Sequence, residues 1–153
     1  LNNLKIMGQL KTIKFSEFLK DKKIEIPVFV DKVSAGFPSP ASDYIEHKLD
    51  LNNYLISNPA ATFIVKASGT SMIDANIQSG DLLIVDKSLT PKNNSIVIAS
   101  IFGDLTVKRL KKKNKAIFLV ANNTNYPSFE IKEETDCFIW GVVTYVIHST
   151  NNR

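Results

Sequence analysis

The sequence predicts a mainly β domain with minor helix, preceded by an extended N-terminal arm. Short runs of apolar and β-branched residues follow one another after residue 61, and the pairs Gly80-Asp81 and Gly103-Asp104 mark turns between them. The 153 residues, 44% hydrophobic and 22% charged, are enough for one domain with a proper core. We therefore divide the chain into an arm at residues 1–40 and a β-rich domain at residues 41–153.

The arm is expected to be extended rather than folded on its own. Its pattern suggests a weak strand at Leu10–Phe15 and a short helical turn at Ser16–Lys22, while Ile26–Val30 alternates poorly around Pro27. A connector that resists helix formation follows, with Gly36, Pro38 and Pro40. An extended backbone is the conformation that a protease cleft accepts, so this connector is a candidate substrate.

The domain is predicted to open with a short helix and then to consist of strands. Ser42 is a candidate N-cap, an apolar stripe runs from Tyr44 to Leu55, and Asn58-Pro59 ends the helix. The strand-like runs that follow are Thr62–Ala67, Asp81–Asp86, Ser95–Phe102, Asp104–Leu110, Ala116–Ala121 and Phe138–His148. Gly141 inside the last run indicates a bend or a close backbone approach.

The chain has a net charge of +4, and its densest run of basic residues is Lys108–Lys115. Because Lys112–Asn114 separates two strand-like runs, most of these charges are predicted to lie at an exposed hairpin tip. The first 40 residues contain no helix-turn-helix pattern, and the sequence has no zinc-ligand spacing or aromatic-rich RNA-binding signature. Direct sequence-specific DNA binding is therefore not expected.

Several other classes of protein are disfavoured by composition. No apolar run approaches the length of a membrane span, and no signal peptide is recognisable. Cys137 is the only cysteine, which rules out a disulfide within one chain and fits a reducing cytoplasm.

His47 and His148 lack a partner motif and are expected at the surface or at caps, and Asp74 and Asp81 follow turns where Asx-type hydrogen bonds are expected. We predict no metal and no cofactor.

Ser71 and Lys108 are the candidate catalytic residues. A serine hydroxyl needs a nearby base, and a lysine can serve as that base when burial lowers its pKa and leaves its amine neutral. On an extended Asp104–Leu110, Lys108 shares a face with Thr106. Ser71 follows a turn at Gly69, where the backbone N–H groups of Thr70 and Ser71 could form an oxyanion hole. Taken alone, this pattern also fits a serine that caps a turn and a solvated strand lysine, and composition and spacing favour that simpler interpretation.

Five runs of sequence, in this order, resemble the UmuD branch of the LexA-like self-cleaving proteins: AGFPSPASDYIEHKLDLN, ATFIVKASGTSMID, SGDLLIVD, DLTVKRL and WGVV. The resemblance implies a compact LexA/UmuD-like β domain, with Ser71 as nucleophile, Lys108 as general base and the bond Ala35–Gly36 as the one that is cut. UmuD proteins carry Cys before the scissile Gly, whereas this chain has Ala35, as LexA-type repressors do. Both residues are small, so the bond is expected to be cleavable.

The resemblance further implies a homodimer that acts in the damage (SOS) response. Contact with a RecA filament on single-stranded DNA would stimulate self-cleavage, and the product, residues 36–153, would assist error-prone synthesis as an accessory subunit of a UmuC-like polymerase. An alternative is the cleavage and dimerisation half of a LexA-like or phage-type transcriptional repressor. A third is a signal-peptidase-like enzyme that acts on other substrates, which the absence of a membrane anchor counts against.

Overall fold

The computed structural model of the protein describes residues 12–13, 24–29 and 45–151. The strands among them are β1 (Thr12–Ile13), β2 (Glu25–Phe29), β3 (Ile45–Asp50), β4 (Thr62–Lys66), β5 (Leu82–Asp86), β6 (Ile96–Ile101), β7 (Asp104–Lys113), β8 (Ala116–Val120), β9 (Phe129–Ile131) and β10 (Cys137–Ile147). The helical elements are α1 (Leu51–Leu55) and a 3₁₀ helix at Ile73–Ala75. The predicted fold class, mainly β with minor helix, is confirmed. The predicted boundary at residue 40 and the bond Ala35–Gly36 lie outside the described residues.

The chain divides into two compact units, of which the larger contains Leu1–Phe18 and Asn58–Arg153. Its described strands form an eight-stranded antiparallel sheet in the order β1-β4-β5-β10-β6-β7-β8-β9. The long strand β10 lies in the middle, paired with β5 along its second half and with β6 along its first half. Its register shifts in both pairings, and such irregularities bend a strand.

Strand alternation places apolar side chains on both faces of this sheet, where they form two hydrophobic clusters. In β6, Ile98 belongs to one cluster, while its neighbours Val97 and Ala99 belong to the other. The cluster of Ile98 also contains Met72 from the segment after β4 and Val107 from β7. Full burial of a side chain such as Met72 contributes about 1.5–3 kcal/mol, so this cluster holds the Met72 segment against β7.

Close packing in the middle of the sheet depends on Gly141. A Cβ atom at this position would lie 2.6 Å from Cγ1 of Val85 and 3.3 Å from the carbonyl oxygen of Asp86. The first of these distances is too short for two carbon atoms, so only glycine allows β10 to approach β5 as it does here. The expectation of a close backbone approach at Gly141 is confirmed.

The smaller unit, Leu19–Ser57, contains a two-stranded antiparallel sheet of β2 and β3 followed by α1. The helix predicted from Ser42 is therefore wrong over Ile45–Asp50. These residues pair with β2, and those cross-strand hydrogen bonds outweigh a weak apolar stripe. The helix begins only at Leu51, where the Asp50 carboxylate is the N-cap and accepts a hydrogen bond from the backbone N–H of Asn52 at 2.9 Å.

No helix within the described ranges is long and apolar enough to cross a membrane.

Candidate active site

Ser71 lies in the turn that connects β4 to the 3₁₀ helix. Gly69 has φ +85°, a left-handed conformation that glycine adopts without steric cost, and it reverses the chain just before the serine. Met72 follows, and its side chain is 3% exposed, so the residue next to the serine is fixed in the core. The turn therefore leaves Ser71 half-buried on an anchored backbone.

Lys108 projects from β7 toward this serine. Its Nζ atom lies 3.5 Å from Oγ of Ser71, 2.8 Å from Oγ1 of Thr106 and 3.1 Å from the carbonyl oxygen of Val107. The structure thus brings together the two residues that the sequence singled out, although 37 positions separate them. The expectation that Lys108 and Thr106 share a face of the strand is confirmed by their contact.

Burial lowers the pKa of Lys108 below its ordinary value of 10.5, because an ammonium group that loses hydration is less stable than the neutral amine. A neutral amine has two hydrogens and one lone pair. Thr106 and Val107 can accept those two hydrogens, which leaves the lone pair for the hydroxyl hydrogen of Ser71. The three contacts therefore match the needs of a neutral lysine that accepts a proton from serine.

The backbone N–H groups of Thr70 and Ser71 are available as donors. Among the described residues, none accepts a hydrogen bond from either group. The carbonyl oxygen of Thr70 is engaged instead, since it accepts hydrogen bonds from the backbone N–H of Ile73 at 3.2 Å and from Nδ2 of Asn123 at 2.9 Å. The oxyanion hole predicted at Thr70 and Ser71 stays a prediction, and these free donors are compatible with it.

A small pocket of about 50 Å³ adjoins Ser71. Its lining comes from the serine turn after β4, the segment after the serine and the first half of β7. It consists of the polar or small residues Ser68, Gly69, Ser71 and Thr106 and the apolar residues Ala67, Met72, Ile77, Leu105 and Val107. Several of these residues belong to the larger hydrophobic cluster, so the walls are fixed by the core. A pocket of this size accepts only a small group.

The loop after β8, residues 122–126, also contacts the serine turn and was not identified from the sequence. Its contacts reach residues on both sides of Ser71: the hydroxyl of Tyr126 is 3.1 Å from Oγ1 of Thr70, and the carbonyl oxygen of Asn122 accepts a hydrogen bond from the N–H of Asp74 at 2.8 Å. Asparagine and tyrosine in a loop are too common for their presence to indicate such a role.

The remaining polar candidates lie elsewhere. His148 lies at the surface, as predicted, with its side chain 44% exposed. Its Nδ1 is 2.7 Å from Oδ1 of Asp81, a carboxylate that is 3% exposed. The other oxygen of Asp81 accepts a hydrogen bond from the N–H of Gln78, three residues upstream, rather than from a residue further on as in an Asx turn. The described part of the chain contains no group of three or more side chains that could hold a metal ion.

The basic run ends at a hairpin turn, as predicted. β7 extends to Lys113, and Asn114 and Lys115 have positive φ values of 48° and 69° between β7 and β8. The side chains at 111–115 are exposed. In contrast to Lys108, these lysines lie at the end of the hairpin and outside the hydrophobic clusters.

Comparison with known proteins gives matches over most of the chain. Residues 27–144 match the family described as Peptidase S24-like. Protein ImpA of Salmonella typhimurium is 49% identical over 124 residues, which are 81% of this chain and 84% of ImpA. Protein MucA of Escherichia coli is 42% identical over 121 residues, 78% of this chain and 82% of MucA. The LexA repressor of Shewanella denitrificans is 34% identical over 113 residues, 73% of this chain and 55% of that repressor.

Proposed function

Because the chain belongs to the Peptidase S24-like family, we propose that it is a self-cleaving serine peptidase of the SOS response that cuts its own bond Ala35–Gly36. In this proposal Ser71 is the nucleophile and Lys108 the general base. The observation that carries the assignment is the 3.5 Å approach of the Lys108 amine to the Ser71 hydroxyl, together with the burial that lowers the pKa of this lysine. The approach is long for a hydrogen bond, and catalytic contacts often tighten only when the substrate is in place.

The reaction proceeds by acyl transfer. The neutral amine of Lys108 takes the proton of the Ser71 hydroxyl, and Oγ attacks the carbonyl carbon of Ala35. The tetrahedral intermediate then collapses, the bond to the nitrogen of Gly36 breaks, and the Lys108 ammonium returns the proton to that nitrogen. An ester between Ser71 and Ala35 remains. Water, deprotonated by Lys108, hydrolyses this ester and leaves a carboxylate at Ala35 and a free serine.

Two further features of the site support the proposal. The unengaged N–H groups of Thr70 and Ser71 could stabilise the negative oxygen of the tetrahedral intermediate, a contribution typically worth 10²–10³-fold in rate per donor. The pocket beside Ser71, at about 50 Å³, is of a size that suits the methyl group of Ala35, the residue before the scissile bond. A larger side chain at residue 35 is therefore expected to slow the cut.

For the biological role, we propose that contact with a RecA filament stimulates cleavage and that the product, residues 36–153, acts as a homodimer with a UmuC-like translesion polymerase. The cut lies between β2 and β3, so it would remove the arm together with β1, the edge strand of the large sheet, and β2, while the seven strands from β4 to β10 stay in one chain. The alternative role, the cleavage half of a transcriptional repressor, has less support. Identity to the LexA repressor is 34%, against 49% to ImpA.

Intact mass measurement after incubation with RecA filaments on single-stranded DNA tests the proposal. We expect two fragments, residues 1–35 and residues 36–153, the second with 153 − 35 = 118 residues. The matched control is Ser71→Ala, which lacks the attacking oxygen and should stay intact. A cut at another bond, or equal cleavage of the Ser71→Ala chain, would contradict the assignment.

A further inference from the structure

The loop at residues 122–126 holds the peptide bond that precedes the nucleophile. We infer that Asn123 and Tyr126 are positioning residues, which orient the Thr70–Ser71 peptide so that its N–H faces the oxygen that becomes negative during cleavage. The inference rests on the proposed function of Ser71. It adds two residues from a different part of the chain, 53 and 56 positions away from Thr70, to the catalytic arrangement.

The argument begins with the geometry of the peptide group. A trans peptide bond is planar, so its C=O and N–H point in opposite directions and cannot turn independently. The carbonyl of Thr70 and the N–H of Ser71 belong to one such group. Nδ2 of Asn123 donates to that carbonyl at 2.9 Å and the backbone N–H of Ile73 donates to it at 3.2 Å, so Asn123 supplies the shorter of the two contacts that fix the direction of the Ser71 N–H. This N–H is one of the two proposed oxyanion donors.

The amide of Asn123 is itself held in the orientation that this role requires. Its Oδ1 accepts a hydrogen bond from the backbone N–H of Asn125 at 3.0 Å, which leaves Nδ2 directed at Thr70. An aspartate or a leucine at this position could not donate to the carbonyl. The contact therefore depends on an amide at residue 123.

Tyr126 and Asn122 complete the attachment of the loop. The hydroxyl of Tyr126 meets Oγ1 of Thr70 at 3.1 Å, and the carbonyl of Asn122 accepts from the N–H of Asp74 at 2.8 Å, beyond the serine. The loop is in turn tied to β7, since Nε of Arg109 donates to Oδ1 of Asn122 at 2.7 Å. The strand that carries Lys108 thus also anchors the loop that orients the nucleophile turn.

The test compares Asn123→Leu with Asn125→Leu in the full chain. Leucine is close to asparagine in size and neither residue is charged, so neither variant changes the net charge near Lys108. The side chain of Asn125 has no hydrogen bond to a described residue, so its variant is the matched control. The measurement is the rate of self-cleavage without RecA across a pH range that covers both the rise of the rate and its plateau. A thermal melt checks that each variant is folded.

We expect Asn123→Leu to lower the plateau rate at high pH by at least about 10-fold, since loss of one oxyanion donor outright costs roughly 10²–10³-fold. The pH midpoint should not move, because Lys108 keeps its surroundings. Asn125→Leu should stay within about 2-fold of the wild type. A fall of less than about 10-fold overturns the inference. So does a midpoint that moves to higher pH, which would show that the cleft has loosened and that Lys108 has gained hydration.

Tyr126→Phe gives a milder second variant that removes one oxygen and keeps the ring. We expect a fall of about 3-fold in the plateau rate, in keeping with a single neutral hydrogen bond. An unchanged rate would show that Tyr126 is not a positioning residue. The Ser71→Ala chain separates the two hypotheses: if it is still cut, the proposed function fails, whereas if it stays intact and Asn123→Leu cleaves normally, only the positioning role fails.

Discussion

Lys108 and Lys112 carry the same side chain on the same strand, four positions apart, and strand alternation assigns them to the same face of β7. Lys108 is half-buried and its amine contacts Ser71, Thr106 and Val107. Lys112 is exposed near the hairpin turn. One strand therefore runs from an environment that disfavours a cation to one in which a cation is fully hydrated.

Position along the strand, and not residue type, therefore determines how well a lysine amine is hydrated. The core cluster around Val107 and the turn at Ser71 displace water from the Lys108 amine, so its pKa falls. At Lys112 no such packing exists among the described residues.

Removal of the base should have the largest effect. Lys108→Ala is expected to slow self-cleavage by at least about 10⁴-fold, as found when one member of a catalytic group is removed, while Lys112→Ala should stay within about 2-fold of the wild type. Lys108→Arg should also be inactive, because a guanidinium group does not lose its proton in this pH range. Fragment masses over time give the rates. Activity in the arginine variant would exclude Lys108 as the base.

The pH dependence of cleavage should report on Lys108 alone. As pH rises toward the lowered pKa of Lys108, the neutral amine becomes populated and the rate should rise about 10-fold per pH unit, then level off below 10.5. The Lys112→Ala chain should give the same midpoint. The measurement is the rate of self-cleavage at each pH in the absence of RecA. A midpoint at or above the ordinary lysine value would show that burial does not tune this residue.

The free energy of unfolding should also depend on pH through Lys108. Between the lowered pKa of folded Lys108 and the ordinary value of 10.5, the unfolded chain binds more protons at this residue than the folded chain. Stability therefore rises with pH through this window. In a Ser71→Ala background, the free energy of unfolding with Lys108, minus that with Lys108→Met, should increase as pH rises toward 10.5. Denaturant titrations of both chains at several pH values measure this difference.

The smallest effect is expected at the hairpin tip. Lys111 contacts the side-chain oxygen of Asn94 at the surface, and such exposed contacts contribute little. Lys111→Ala and Lys112→Ala should each change the free energy of unfolding by less than about 0.5 kcal/mol. Thermal or urea unfolding measures this. A loss above about 1 kcal/mol in either variant would mean that the tip contributes to the fold as the buried half of β7 does.

Much of the sheet could be predicted from local patterns. The six strand-like runs of the domain match β4, β5, β6, β7, β8 and β10 to within three residues at each end, because β-branched residues alternate there between clear turn signals. The helix predicted from Ser42 failed since Ile45–Asp50 obtains its hydrogen bonds from β2, which lies about 20 residues earlier in the sequence. Only the pairing of this segment with a distant one decides between a helix and a strand, and a local sequence pattern carries no information about that pairing.

The candidate site could likewise be predicted only in part, because it too depends on contacts between distant segments. Ser71 and Lys108 were selected by their resemblance to a family of self-cleaving proteins, because residue type and spacing alone favoured a capping serine and a solvated lysine. What the sequence could not give is the set of contacts that surrounds them. The pairing of Asn123 with Thr70 depends on where the loop after β8 comes to lie once the sheet has formed.

The central place of β10 has a consequence for the order of events during synthesis. Ser71 follows β4, and β4 and β5 lie on one side of β10, while β6 and β7, with Lys108, lie on the other. Among the described strands, these two groups are joined by backbone hydrogen bonds only through β10. A ribosome delivers Ser71 and Lys108 before the strand Cys137–Ile147. In the nascent chain, the hydrogen bonds of β10 therefore cannot form until this last strand has emerged, and only then are the two groups of strands joined into one sheet.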